Sequence, residues 1–361
     1  MSVTACRFSH EALRAFTSAV FRALDLPGDD ARLTADGLIE ANLRGLDSHG
    51  VARIPVYAER LRRGLVNPKP EISIEDKTPV AALVDGDNGM GFVVGDRAMA
   101  KAMEMAGASG IGLAAARRST HYGMGAIYVM QAIEAGFIAL AFTNSSPALP
   151  VWGGRTTFLG AAPLAAGVPA GDEAPYVLDM AMTVIARGKI RLAAQRGDPI
   201  PPGLALDAEG KPTTDAQKAF EGVCLPFGGV KGAALAMLMD VLGGVFTGAA
   251  FGGGVRPLYG DFSGPQDVGH LFLAIKPDLF MPREEVTHRT DTFVRRVKAC
   301  PTAEGFDGIL MPGEPETRTR DQRLRGGLPI TTDVVTALKA EAEAFNLPFP
   351  DPLTDSHPAP K

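Results

Sequence analysis

A histidine and an arginine lie four residues apart near the start of the sequence. His49 lies in the segment LRGLDSHGVAR, directly after Ser48, and Arg53 follows it. If the segment is helical, this spacing places the imidazole and the guanidinium on one face of the helix. A histidine can donate a proton near neutral pH, and an arginine can bind a carboxylate through two parallel hydrogen bonds. The pair therefore has the groups needed to reduce a small 2-oxo acid.

The same segment also has a purely structural interpretation, which the spacing alone leaves open. Asp47 or Ser48 can cap the start of a helix. Arg53 can form surface ion pairs with Glu40 or Glu59, which would take it out of any binding role.

Two glycine-rich turns are candidate anion-binding sites. His121 opens the turn in STHYGMGAIY, where backbone N–H groups at a helix start can bind phosphate. The segment FGGVKG at 227–232 places Lys231 at the start of a long helix, and both its ammonium group and the helix dipole favour an anion there. A strand-to-helix turn at His121 and a helix-ending turn at the glycines explain the same residues without a ligand.

The elements that position these residues divide the chain into three stretches. Apolar residues at helical spacing predict helices at about 9–26, 29–43, 54–65, 284–299 and 332–345. Residues 1–75 and 235–345 are therefore expected to be mainly helical. Residues 76–234 alternate short apolar strands with helices, which is typical of an α+β domain. In the segment 232–248, small and apolar residues occupy almost every face of a helix, which predicts that this helix is buried. The Pro-rich tail, 346–361, is expected to be loose.

Composition excludes several classes of protein. The 361 residues include 36 Lys and Arg against 41 Asp and Glu, so no basic surplus favours nucleic acid as a partner. Cys6, Cys224 and Cys300 are scattered without C-x-x-C spacing, which predicts neither a disulfide framework nor a metal site. The first residues lack the apolar core of a signal peptide, and no run of about 18 apolar residues suggests a membrane span. We therefore expect a soluble cytoplasmic protein.

Common enzyme fingerprints are absent. The sequence has no G-x-G-x-x-G after a first strand and no G-x-x-x-x-G-K-[ST] loop, so neither a Rossmann dinucleotide site nor a P-loop is indicated. It also has no G-x-S-x-G and no H-E-x-x-H, which excludes the usual serine hydrolase and zinc protease signatures.

Seven segments in order nevertheless resemble one family along nearly the whole chain. They are LRGLDSHGVARIPVYAERLRRGLV, STHYGMGAIY, FTNSSPALPVWGG, FLGAAPLAAGVPA, LDMAMTVIARGKI, LPFGGVKGAALAMLMDVLGG and MPGE. This order is similar to that of the malate/L-lactate dehydrogenase-like oxidoreductases, which differ from the Rossmann lactate and malate dehydrogenases. The resemblance implies an α/β (α+β) fold of the non-Rossmann type, with a helical domain from both chain ends and a central mixed-sheet cofactor domain. It also implies a homodimer.

The resemblance assigns roles to individual residues. It implies that His49 is the general acid toward the substrate carbonyl or imine, that Ser48 supports it, and that Arg53 holds the substrate carboxylate. His121 is also implied to face the substrate, since some relatives use the matching histidine as a base. The cofactor is implied to be NAD or NADP, with no metal, and its contacts are matched by His121, Tyr122, Gly123, Met124, Gly125, Asp179, Met180, Ala181, Val230, Lys231, Met311, Gly313 and Glu314.

The sequence departs from the family pattern at a few positions. Ala161 and Ala162 replace a Thr and an Asn of the usual GTNP motif, and Val230 replaces a His. Lys189 stands where imine-reducing relatives carry an Asp and hydroxy-acid relatives usually carry Lys. We therefore expect a reductase of small 2-oxo acids. A reductase of cyclic imines bearing a 2-carboxylate and a non-catalytic dinucleotide-binding protein remain as alternatives.

Overall fold

A computed structural model describes residues 5–353. Thirteen strands follow one another within these residues: β1 (Ala5–Phe8), β2 (Ser73–Thr78), β3 (Ala81–Asp85), β4 (Ile111–Ser119), β5 (Ile138–Thr143), β6 (Pro147–Leu149), β7 (Leu159–Gly160), β8 (Leu164–Val168), β9 (Tyr176–Met180), β10 (Ala205–Leu206), β11 (Val223–Cys224), β12 (Val268–Ile275) and β13 (Leu328–Thr331). Eleven α-helices lie in the same range: α1 (His10–Ala23), α2 (Gly28–Leu43), α3 (Ile54–Arg62), α4 (Gly91–Ser109), α5 (Ala126–Glu134), α6 (Arg187–Arg196), α7 (Ala216–Glu221), α8 (Val230–Asp240), α9 (Arg283–Lys298), α10 (Glu314–Gly326) and α11 (Thr332–Ala344).

Seven strands form the central sheet, in the order β2-β3-β4-β12-β5-β8-β9. Only β3 and β4 are parallel, and α4 connects them; the other neighbours are antiparallel. Alanines alternate along β4 and β5, and their small side chains let α4 and α5 approach the sheet closely. The mixed sheet confirms the predicted fold class and differs from the parallel sheet of a Rossmann domain.

The helical part is built from both ends of the chain. β1 pairs with β13 in antiparallel register, with Phe8 opposite Leu328. The core of this part contains apolar residues of α1, α2, α3 and α11 together with Leu328 and Ile330. Helix α1 begins as expected after Ser9, whose side chain accepts a hydrogen bond from the Ala12 N–H (3.3 Å).

β1, which pairs with β13, precedes the helices predicted in residues 1–75 and was not foreseen. Two expectations about these elements need correction. β12 lies between β4 and β5 in the sheet, although the sequence division placed it in the helical part. The tail is ordered as far as residue 353, because the Phe349 ring packs edge-on against Phe8 (5.7 Å) and Phe16 (5.2 Å). Residues 354–361 of the expected loose tail lie outside the described part of the chain.

The segment predicted as a buried helix at 232–248 is only half buried. Helix α8 continues into a π-helical turn, Val241–Val245, and Ala236 and Met239 pack in a small core beside the sheet. The opposite face carries an apolar stripe that is exposed in the single chain: Leu238, Val241, Val245 and Phe246. The prediction was wrong because a nearly uniform apolar pattern does not reveal which face packs within the chain.

Candidate active site

Two short helical turns, not one α-helix, carry His49 and Arg53, with Gly50 between the turns. Gly50 passes so close to Asn42 that a Cβ atom would overlap the Asn42 side chain. Asn42 Oδ1 accepts a hydrogen bond from the Val51 N–H (2.8 Å), which ties the segment to the end of α2. The prediction that the two residues share one face of a helix is therefore wrong, and contacts with α2 bring them together instead.

Hydrogen bonds order Ser48, His49 and Arg53 around one another. Ser48 Oγ lies 3.0 Å from His49 Nδ1, and Arg53 Nε donates to the Ser48 carbonyl (2.7 Å). The Arg53 guanidinium lies over the Tyr259 ring, 5.2 Å from its centroid. In residues 5–353 Arg53 has no carboxylate within ion-pair distance, so its two terminal nitrogens are free to bind an anion.

Arg53 does not pair with Glu40 or Glu59, and Asp47 does not cap a helix, as the alternative interpretation of this segment would require. Glu40 pairs with Arg320 (2.9 Å), and Glu59 pairs with Arg63 (2.5 Å), so neither neutralises Arg53. Asp47 does not cap a helix through its side chain but pairs with Arg323 (2.6 Å).

His121 lies beside His49, and its partners define which nitrogen carries its proton. The two imidazole rings are 5.5 Å apart and nearly parallel. His121 Nδ1 accepts from the Gly123 N–H (3.3 Å) and lies 2.6 Å from the Tyr57 hydroxyl oxygen. Because a backbone N–H can only donate, Nδ1 is the acceptor and the proton of the neutral ring is on Nε2. His121 can therefore offer an N–H to a substrate oxygen.

Both histidines are neutral at pH 7. Burial and the neighbouring Arg53 charge lower the pKa of His49 to about 4. Burial, with Arg53 as the next cause, lowers the pKa of His121 well below its usual value. The expectation of a proton donor with a pKa near 7 is thus not met in the free protein. A bound carboxylate would offset the Arg53 charge and raise both pKa values.

A cavity of about 330 Å³ is lined by residues close in sequence to this cluster, Leu46 before the Asp47–His49 turn and Met124 after His121. Four of the predicted cofactor contacts line it, namely Met124, Asp179, Met311 and Gly313, together with Arg44, Leu46 and Glu316, which the sequence did not indicate. Its size lies within the ~300–1,000 Å³ of small-molecule and cofactor sites, and apolar walls with few polar groups are typical of them. A nicotinamide dinucleotide therefore fits the character of this cavity.

Asp179 lies in the cavity wall and binds the start of α5. Its Oδ2 accepts a hydrogen bond from the Ala126 N–H (2.9 Å). Burial raises the pKa of Asp179 to about 6, although hydrogen bonds from Ala126 and Gly125 oppose the shift. This helix start, predicted to receive a phosphate, is thus partly occupied by a carboxylate of the protein itself.

The other predicted cofactor residues lie elsewhere. Tyr122 is buried and stacks on His270 (4.7 Å between ring centroids). Glu314 is held by Lys298 (3.1 Å) and Arg318 (2.6 Å), and it accepts from the Met311 N–H (3.1 Å), so it orders the 311–313 loop. The remaining ones are outside the cavity lining: Gly123 and Gly125 in the turn after His121, Met180 in β9, Ala181 just after it, and Val230 and Lys231 on the exposed start of α8.

Several site residues escaped the sequence reasoning. Tyr57 follows Arg53 by four residues on α3, so an extension of the helical spacing would have found it. Tyr259 and Gln266 come from a distant loop; Gln266 accepts from the His121 N–H (3.2 Å) across 145 residues of sequence. No local signal points to such contacts.

The comparisons identify the family. A family model described as malate/L-lactate dehydrogenase matches residues 8–339. The chain belongs to this family and is an oxidoreductase. This chain lacks the Rossmann fingerprint, in agreement with the mixed sheet described above.

Curated relatives and solved structures match almost end to end. L-sulfolactate dehydrogenase of Methanocaldococcus jannaschii is 38% identical over 92% of this chain and 95% of its own length. Its structure superposes with a TM-score of 0.91, covering 95% of this chain and 98% of that one. Ureidoglycolate dehydrogenase (NAD(+)) of Escherichia coli is 32% identical over 93% and 96% of the two chains.

A further solved structure belongs to an enzyme named for imine chemistry. Delta1-piperideine-2-carboxylate reductase of Pseudomonas syringae has a TM-score of 0.83 and 27% identity, covering 93% of this chain and 99% of that one. The fold alone therefore does not separate oxo-acid from imine substrates.

Within residues 5–353, no helix has the length and apolar character required to cross a membrane. The same residues contain no group of three or more His, Cys, Asp or Glu side chains arranged to hold a metal ion.

Proposed function

We propose that this protein interconverts a small 2-oxo acid and the corresponding 2-hydroxy acid with a nicotinamide dinucleotide. The observation that carries the proposal is the unpaired Arg53 guanidinium beside two neutral histidines, His49 and His121. A carboxylate bound by Arg53 brings its adjacent carbonyl group to the imidazoles. Family membership supports the redox chemistry.

The protein's residues have three tasks in the reduction. Arg53 binds and orients the carboxylate through its two terminal nitrogens. The His121 Nε2–H donates a hydrogen bond to the carbonyl oxygen, and His49 supplies the proton that the new alkoxide needs, its proton affinity raised where the carboxylate offsets the Arg53 charge. The reduced nicotinamide supplies hydride to the 2-carbon when bound. In the reverse direction neutral His49 accepts the proton from the hydroxyl group.

The cofactor is proposed to occupy the cavity that contains Asp179. Met124, Met311 and Gly313 supply its apolar and backbone walls, and Arg44 and Glu316 its polar ones. Gly313 has φ of 88° and lies so close to Val177 that a Cβ would overlap it, so this approach requires glycine.

The test is the loss of absorbance of NADH and NADPH, measured separately against a panel of 2-oxo acids and cyclic imino acids. Turnover of oxo acids that His49→Ala abolishes is the expected result. Binding of a dinucleotide without turnover of any acid would refute the proposal in favour of a non-catalytic binding protein.

A reductase of cyclic imines is the second candidate, supported by the similarity to the piperideine-carboxylate reductase structure. Lys189 is exposed at the start of α6, and within residues 5–353 it forms no ion pair or side-chain hydrogen bond. Side-by-side rates in the same panel separate the two: a preference for imines would overturn the oxo-acid assignment.

We further propose that the protein is a homodimer in the cytoplasm. The apolar stripe of α8 supports a second copy as its cover, because stripes of this kind on a single chain usually mark an interface. Phe158 lies against Gly252 and Gly253, next to the exposed Phe251, and extends the same surface. The three cysteines are free, which suits a reducing compartment.

A further inference from the structure

Arg60 is a buried cation without a carboxylate partner in the described part of the chain. Its side chain is fully buried in α3. Its guanidinium donates hydrogen bonds to four backbone carbonyls, those of Pro257 (3.3 Å), Leu258 (3.4 Å), Asp261 (2.9 Å) and Gly264 (2.9 Å). Burying a charge is costly unless such bonds replace water, so this arrangement holds these carbonyls firmly.

All four carbonyls belong to one loop, residues 256–266, which closes on itself. The Arg256 N–H donates to the Gln266 carbonyl (3.3 Å), and Gln266 Nε2 donates to the Arg256 carbonyl (3.2 Å). In the middle of the loop the Phe262 ring contacts the Arg60 guanidinium (5.7 Å) and that of Arg63 (4.4 Å). With its ends joined and its backbone held by Arg60, the 256–266 loop is a compact Ω-loop.

The 256–266 loop contributes two residues to the active site. The Arg53 guanidinium lies over the face of the Tyr259 ring, and Gln266 accepts from the His121 N–H. Tyr259 is 55% exposed, so the core does not hold it in place. The position of its ring therefore depends on the backbone of the loop.

Arg60 is connected to the same site through its helix. Arg53, which directly precedes α3, is four residues before Tyr57 and seven before Arg60 in its last turn, a spacing that places the three on one face. This face carries Arg53, which is proposed to bind the carboxylate, Tyr57, which contacts His121, and Arg60, which holds the loop.

We propose that Arg60 is a positioning residue for substrate recognition: it fixes the 256–266 loop so that the Tyr259 ring lies beneath the Arg53 guanidinium and holds it in place. Arg53 Nε already donates to Ser48, so the edge with the two terminal nitrogens is left for a carboxylate. This rests on the proposed function insofar as the ligand is a carboxylate. Lysine cannot replace Arg60, because a single ammonium group cannot reach four separated carbonyls.

The test compares Arg60→Lys and Tyr259→Ala with a matched control, Arg62→Met. Arg62 lies on the same helix but pairs with Glu341 and stacks on Phe345, away from the loop. The readouts are the KM of the accepted 2-oxo acid, the Kd of oxamate in the presence of NADH, and the Kd of NADH from its fluorescence. Both site variants should raise the KM and the oxamate Kd by about tenfold to hundredfold and leave the NADH Kd unchanged.

Two further comparisons separate positioning from general destabilisation. The double variant Arg60→Lys/Tyr259→Ala should have an oxamate Kd no higher than that of the single variant with the lower oxamate affinity, because both changes remove the same contact. Arg62→Met should lower the Tm without changing oxamate binding. Unchanged oxamate affinity in Arg60→Lys, or equal losses in Arg62→Met, would overturn the proposal. If Arg60→Lys does not fold, Tyr259→Ala with its exposed side chain gives the answer.

Failure of the proposed function gives a different pattern. A wild-type protein that neither turns over nor binds any acid would refute the oxo-acid assignment itself. Hydrogen exchange then tests the loop independently: faster exchange in residues 256–266 of Arg60→Lys supports its role in holding the loop, and unchanged exchange contradicts it.

Discussion

The two active-site histidines are neutral because of their surroundings, and this decides how the reaction should depend on pH. Burial and Arg53 remove the charge from His49, while Tyr57 and the Gly123 N–H fix the tautomer of His121. A neutral imidazole is ready to accept a proton from a hydroxy acid, whereas reduction requires that the substrate itself restore the proton affinity of His49.

We expect an unusually flat pH profile for oxidation of the hydroxy acid. A depressed pKa means that His49 becomes protonated only as the pH falls toward about 4. The value of kcat/KM, which reports the free enzyme, should therefore stay constant from pH 8 to about 5.5 and fall below that. A roughly fivefold loss between pH 6.5 and 5.5, the behaviour of a histidine with the ordinary pKa of about 6.5, would contradict this assignment.

Tyr57→Phe removes one of the two donors to His121 Nδ1 but keeps the ring. We expect kcat to fall about fivefold to tenfold, the effect of one lost hydrogen bond, because the imidazole is less well fixed. The Kd of NADH should not change. Tyr176→Phe, a tyrosine on β9 outside this contact, is the control, and a similar loss there would show a general effect.

The sequence predicted these site residues unevenly. His49, Ser48, Arg53 and His121 have side chains whose chemistry is visible from residue type, and the structure brings them together. The reason given for placing His49 beside Arg53 was wrong, since contacts of α2 and Gly50, not a shared helix face, bring the two together. Arg44 and Glu316 looked like ordinary surface charges because only the folded chain shows that they line a cavity.

At the scale of elements, the start of α5 is the feature with the most direct consequence for stability. Asp179 places a carboxylate on the Ala126 N–H, inside the cavity wall. Its pKa is raised from 3.8 to about 6 by burial, so the folded state binds a proton more tightly than the unfolded state does. The stabilisation that proton binding to Asp179 gives the folded state is fully present below pH 3.8 and is lost as the pH rises through about 6.

Asp179→Asn should therefore stabilise the protein at pH 8 and have little effect at pH 5. The amide oxygen still accepts the Ala126 N–H, and the buried charge, which costs of the order of 2 to 3 kcal/mol above pH 6, is gone. Thermal unfolding at the two pH values measures this. A lower Tm for the variant at pH 8 would mean that the carboxylate has a charged partner in the folded state.

At the scale of the whole molecule, the apolar stripe of α8 predicts the oligomeric state. Leu238→Glu places a charge within the stripe and should convert a dimer into monomers, as measured by analytical ultracentrifugation. Phe280→Glu is the matched control, because Phe280 is 88% exposed and outside the stripe. A wild-type protein that is already monomeric at micromolar concentration would contradict the proposal.

The fold was predictable in its class but not in its strand order. Local apolar patterns located β3, β4, β5, β9 and β12, and the resemblance supplied the mixed sheet. Nothing local shows that β12 lies between β4 and β5, because strand pairing depends on contacts between segments far apart in sequence. Short strands such as β6 and β7 and the helix α10 lack a clear apolar period and were not found.

The position of β12 also has a consequence for how the chain is made. During synthesis, β4 and β5 leave the ribosome more than a hundred residues before the strand that separates them, so both carry unpaired edges in the meantime. The core of the helical part is completed later still, because it includes Leu328 and Ile330 near the end of the chain. Folding is therefore expected to be slow and largely post-translational, with nascent chains that need protection from aggregation, and the residues that surround the substrate would be ordered last.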